Sequence, residues 1–225
     1  MATVQLKLGP ADHGRRLHVD DFESAEYVGG FRYEIIDGRL YVSPMPNFPE
    51  SYLETWLLSA LNEYADSHPE LIGYIATKGR VFLPKRKRAT VPEPDIAVYT
   101  ELPRDVPLRK IRWQDLNPFL VVEVLVDGDI GKDITRNPAL FITLPSIKEY
   151  WVLNGAESPD EPSLIQHRRR GKSWTVTTFP YGSTFTTITS LTNLTQGPGA
   201  NGYVGESYSI AATEARYVRF QVTQN

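Results

Sequence analysis

The chain reads as an α/β fold, with a central mixed β-sheet flanked by helices and carrying extra β-hairpins. Three observations predict it. PFLVVEVLV (118–126) is an unbroken apolar run of the kind a strand buried on both faces shows. SYLETWLLSALNEYADS (51–67) carries apolar residues at helical spacing. Short β-branched and aromatic segments alternate with helical ones along the rest of the chain, which is the pattern of a layered α/β domain. With 225 residues, 41% apolar and 23% charged, the chain can bury one real core.

Residues 1–18 read as an N-terminal arm, and VDDFESA (19–25) as a short helix. FRYEII and RLYVS (31–36 and 39–43) read as strands joined at Asp37-Gly38, a strong two-residue hairpin turn. Prolines 44, 46 and 49 then break the chain before the helix of 51–67. In that helix Leu53, Trp56, Leu57, Ala60, Leu61 and Tyr64 are expected to face the core. Segment 73–84 supplies one or two strands, VPEPDIAVY (91–99) another, and 104–117 a connection with one helical turn near Trp113–Leu116. A helix is expected within 128–144, with Asn137 as its N-cap and Pro138 at the first helical position. KEYWVLN (148–154) is the next strand, and 163–180 a hairpin turning at Arg170-Gly171. Residues 181–194 keep β character. The main domain is therefore expected over 19–195. Residues 196–225 form a Gly-rich linker and tail whose end (Tyr217, Phe220, Val222) alternates as an added edge strand would.

Composition excludes several chemistries. There is no cysteine, hence no disulfide, thiolate metal site or cysteine nucleophile. No apolar run approaches a membrane span, and the N-terminus lacks an apolar signal core, so a cytoplasmic protein with no membrane partner is expected. A net charge of −3 argues against a dedicated DNA-coating protein. Two basic clusters, Lys85–Arg88 and Arg168–Arg170 with Lys172, read as solvated hairpin tips that could neutralise phosphates. His13, His18, His68 and His167 are scattered and expected at the surface. Asp127, Asp129 and Asp133 fail the calcium-loop pattern and read as a turn leading into a helix. No phosphate-binding glycine pattern or nucleophile elbow occurs, and no small-molecule cofactor is expected.

Two acids stand out. Asp95 in VPEPDIAVY and Glu123 in PFLVVEVLV sit inside apolar strands. Burying a carboxylate there costs several kcal/mol unless it is compensated. Convergence on a metal ion or a catalytic water would compensate both, and Pro-Asp followed by Glu on the next apolar strand is the layout of a divalent-metal nuclease core.

Four ordered blocks, RYEIIDGRLYVSPMP, PEPDIAVY, LVVEVLV and PSIKEYWVLN, resemble the Uma-two family of the PD-(D/E)xK restriction-endonuclease-like superfamily over about residues 14–192. The resemblance implies a restriction-endonuclease-like core and metal-dependent hydrolysis of DNA phosphodiesters. DNA would be the partner, Mg2+ or Mn2+ the cofactor, and a homodimer is left open. It implies that Glu34, Asp95 and Glu123 hold the metal. It also implies a lysine, and here the chain departs from the pattern. Leu125 stands two residues after Glu123, and Asn137 stands four after Asp133, where such families carry a displaced lysine. Lys132 is the expected substitute among the catalytic residues. The alternative is a catalytically silent module of the same fold that binds nucleic acid or protein.

Overall fold

The structure is a computed structural model that describes residues 5–84, 86–103 and 105–182. All of them but Gly182 belong to the compact unit that ends at Tyr181. The expected β character beyond Gly182, the linker and the edge strand at Tyr217–Val222 lie outside the described residues.

Among the described residues, ten strands and three α-helices form in chain order. Strand β1 (Lys7–Leu8) is followed by α1 (Val19–Ser24), β2 (Glu26–Tyr27), β3 (Phe31–Ile36) and β4 (Arg39–Pro44). Next come α2 (Phe48–Ser67), β5 (Tyr74–Thr77), β6 (Ile96–Tyr99) and β7 (Leu120–Leu125). A π-helical turn (Lys132–Arg136) runs into α3 (Asn137–Phe141), and β8 (Glu149–Asn154), β9 (Ser163–Arg170) and β10 (Ser173–Phe179) complete the order.

The main sheet has six strands in the order β10-β9-β8-β7-β6-β5. Only β7 and β8 pair in parallel, joined by the crossover through the π-turn and α3, so the sheet is mixed as predicted. Helix α2 covers one face, burying Leu53, Leu57 and Leu61 against Val122 and Val124. The π-turn and α3 cover the other face, where Leu140 and Phe141 pack with Val121, Leu125, Tyr150 and Val152. Alternation along β7 therefore sends Val122 and Val124 to one layer and Val121, Glu123 and Leu125 to the other.

The β3–β4 hairpin forms its own two-stranded sheet. Asp37 and Gly38 both take positive φ, at 49° and 75°, as a tight hairpin turn requires. One bridge, Ile35 to Val91, ties the hairpin to the segment that leads into β6.

Four local expectations change. The N-terminal arm is packed from β1 onward: Leu8 is fully buried with Phe22, Tyr33 and Leu40. Helix α2 buries its i, i+4, i+8 leucine row, with Leu58 and Ala65 packed beside it, and Trp56, Ala60 and Tyr64 are exposed. Asn137 is no N-cap. Its backbone is helical (φ −66°, ψ −42°) because the π-turn runs straight into α3, and its side chain is fully buried. His167 is buried against Tyr150 and Trp174, since alternation on β9 turns it inward.

The basic clusters are partly structural. Arg169 donates to the carbonyls of Phe141, Ile142, Leu144 and Ile147, closing the C-terminal end of α3. Arg86 pairs with Asp37 at 2.7 Å across the hairpin turn.

Candidate functional site: a buried cluster of acids and cations

Strand register assembles the site. Ile96 pairs with Val122, so one step beyond the last pair Asp95 comes abreast of Glu123. Thr77 pairs with Ile96, so one step beyond that pair Lys78 comes abreast of Asp95, and its N–H donates to the Asp95 carbonyl at 3.0 Å. Lys78, Asp95 and Glu123 thus occupy one row across three strands. Directly opposed residues of antiparallel strands share a sheet face.

Asp95 is 4% exposed and its carboxylate is held by three donors. Arg32 Nη1 and Lys78 Nζ each lie 2.8 Å from Oδ1. The Val124 N–H donates to Oδ2 at 2.7 Å. Burial alone would push this carboxyl up, but Arg32 and Lys78 outweigh it and hold it below the usual range.

Glu123 is in the opposite condition. It is 1% exposed, and its hydrogen-bond donor is a neutral amide, Asn137 Nδ2, at 2.8 Å from Oε1. Burial raises its pKa well above the usual value. The charge of Lys132 pulls it back, while Asp133 and Asp95 add to the rise. The same Asn137 amide reaches Asp133 Oδ1 at 3.1 Å. Asp133 is buried too, and burial pushes it up to about 6.

Glu34 enters from β3. Its Oε1 accepts from the Glu93 N–H at 3.0 Å, and its Oε2 faces Arg136 at 3.3 Å and Lys132 at 3.7 Å. Arg32, two residues earlier on the same strand, reaches Asp95 from the same face of the hairpin. The structure therefore brings Glu34, Asp95, Glu123 and Lys132 into a single network. It adds Arg32, Lys78, Asp133, Arg136 and Asn137, and Glu54 on α2 through a 2.6 Å contact with Lys78.

These additions were hard to see in the sequence. Arg32 lies at i−2 from Glu34 on a predicted strand, a signal that could have found it. Asp133 stands four residues before Asn137, the helical i, i+4 relation on which the family resemblance already places the missing lysine. Lys78 has no signal, because its place depends on the β5–β6 register.

Hard oxygen donors of this kind suit magnesium or manganese. Among the described residues, no three acidic or histidine side chains close around one point. The set is accordingly no all-protein cage, but it fits an ion that takes one or two protein carboxylates and keeps its waters. Glu123 is a buried acid whose hydrogen-bond donor is a neutral amide, and Oδ2 of Asp95 has a second lone pair beside the one that accepts from Val124.

The family model "Uma2: Putative restriction endonuclease" matches residues 19–197. The chain belongs to the Uma2 family. That match covers most of the chain and agrees with the α/β restriction-endonuclease-like fold seen here. No curated protein matches the chain. The cluster just described lies within the Uma2 region, and no helix among the described residues is long and apolar enough to cross a membrane.

Proposed function

We propose that this Uma2 protein is a magnesium- or manganese-dependent DNA endonuclease that hydrolyses phosphodiester bonds at the Asp95–Glu123 row. The supporting observation is that row itself: two buried acids abreast on adjacent strands, one neutralised by cations and the other set against a neutral amide. Asp95 and Glu123 would hold the metal, with Glu34 as the outer acid. The ion, when bound, would supply charge neutralisation and lower the pKa of a coordinated water.

The chain's own residues set the rest. The Val124 N–H and Arg32 fix the Asp95 carboxylate. Asn137 orients Glu123. Lys132 and Arg136 balance Glu34 and place positive charge where a phosphate would enter. Hydrolysis requires water to attack phosphorus, the P–O bond to the leaving sugar to break, and that alkoxide to take up a proton. A partly buried cluster with fixed cations favours the negative transition state because its dipoles are already oriented.

One observation favours the silent module instead: Asn137, a neutral side chain, sits against Glu123 and Asp133 where a cation would serve catalysis. Incubating supercoiled plasmid with the protein and Mg2+ or Mn2+, against an Asp95→Ala control, separates the two readings. Nicking or linearisation by wild type alone supports the endonuclease. No cleavage in either metal, with DNA still bound, supports the module.

A further inference from the structure

Lys132 pairs with Glu34 at 3.7 Å and acts on Glu123 through its charge. The lysine in hydrogen-bond contact with the Asp95–Glu123 row is Lys78. Lys78 leaves the end of β5 with φ 55°, a left-handed backbone disfavoured for a residue with a Cβ. Such strain persists where the surroundings fix the residue, and here they do so twice. The Lys78 N–H bonds the Asp95 carbonyl, and its Nζ is clamped between Asp95 Oδ1 at 2.8 Å and Glu54 Oε2 at 2.6 Å. Its side chain remains 24% exposed, more than the 13% of Arg32, the other cation on Asp95. Arg32 is also tied to the Glu93 carbonyl by its second nitrogen. Of the two cations on Asp95, Lys78 is thus the one with more access to an incoming group.

We propose that Lys78 is the catalytic lysine of this site, replacing from the end of β5 the cation that Asn137 cannot supply, and that Glu54 on α2 is its positioning residue. This assignment rests on the nuclease reading above. Nζ would contact the scissile phosphate beside Asp95 and stabilise the charge that builds on it. The role asked of it is charge placement. An arginine at the same position keeps the charge on a bulkier head and should retain part of the function.

The test compares Lys78→Met, Lys78→Arg, Lys132→Ala and Glu54→Gln in plasmid cleavage with Mg2+, alongside binding of a fluorescent DNA duplex in EDTA. Lys78→Met should lower kcat by about 10²–10³. KM and metal-free duplex affinity should each move less than about threefold, since the contact matters chiefly in the transition state. Lys78→Arg should recover at least about tenfold of that loss, and Lys132→Ala should cost less than about tenfold. Glu54→Gln should lower kcat in the wild-type background and have no further effect in Lys78→Met, the non-additivity expected of two residues acting as a unit. If Lys78→Met does not fold, Lys78→Gly replaces it, because glycine is at ease at this φ.

Cleaving wild type together with full kcat in Lys78→Met, or loss in Lys132→Ala alone, would overturn the assignment and leave the nuclease reading standing. Absence of cleavage by wild type in either metal would overturn both.

Discussion

The Asn137 amide donates to Glu123 Oε1 at 2.8 Å, and through this contact a neutral group fills the place where the sequence pattern called for a positive one. Glu123 is left a buried acid whose nearest donor carries no charge, and burial pushes its pKa well up. The site's energetics follow from that contact.

Asn137→Lys should raise the cleavage rate by about 10², since one fixed cation beside a developing anion is worth that much in a partly dry site. The helical backbone at 137 accepts lysine, and the new ammonium would lie against Glu123 and Asp133. Initial rates of plasmid nicking measure it. Unchanged rates in a folded variant would show that the existing cations already supply the charge.

Asp95 and Glu123, similar on paper, should respond oppositely to neutralisation. Asp95→Asn leaves buried Arg32 short of its partner and should lower Tm by roughly 5–10 °C. Glu123→Gln keeps shape and the oxygen that accepts from Asn137 while removing a buried ionisable group. It should hold or raise Tm by roughly 2–5 °C in metal-free buffer at neutral pH. Thermal melts of the two variants decide the point, and equal losses would contradict the assignment of charge.

Metal should stabilise the fold through the same residues. A ligand that binds only the folded state at 100 times its Kd adds about 2.7 kcal/mol. Magnesium or manganese should therefore raise the wild-type Tm, and Asp95→Asn or Glu123→Gln should abolish the rise. A shift that survives in both variants would place the ion elsewhere.

Asp133 contributes a pH dependence whose sign follows from its burial. Its pKa is raised from 3.8 to about 6 on folding, so between these values the native state binds more protons than the unfolded one. Stability contributed by this group is present below pH 3.8 and falls as pH rises to about 6, by on the order of 2–3 kcal/mol. Asp95, held low, has the opposite sign, so the difference between wild type and Asp133→Asn is the quantity to measure. Urea unfolding at several pH values should show the variant gaining on wild type across that window. Parallel curves would mean that Asp133 is not a buried acid.

Strand and helix order from β3 onward, the Asp37-Gly38 turn and the buried β7 strand are legible in the sequence, whereas β1 and β2 are not. The legible elements depend on local periodicity and turn chemistry, which adjacent residues carry. The sequence also marked Asp95 and Glu123, because a carboxylate within an apolar run is anomalous wherever the chain folds. Burial in the structure follows for both, and the family match fits the four blocks that suggested it. The tertiary structure decided which cation stands beside which acid. Lys78 meets Asp95 through strand register, and Arg32 meets it because one Ile35–Val91 bridge docks the hairpin there. Lys132 turns to Glu34, and Asn137 turns inward instead of capping a helix, because the π-turn continues directly into α3. Register and docking are pairings between distant segments, and a long charged side chain can meet any of several partners until those pairings are fixed.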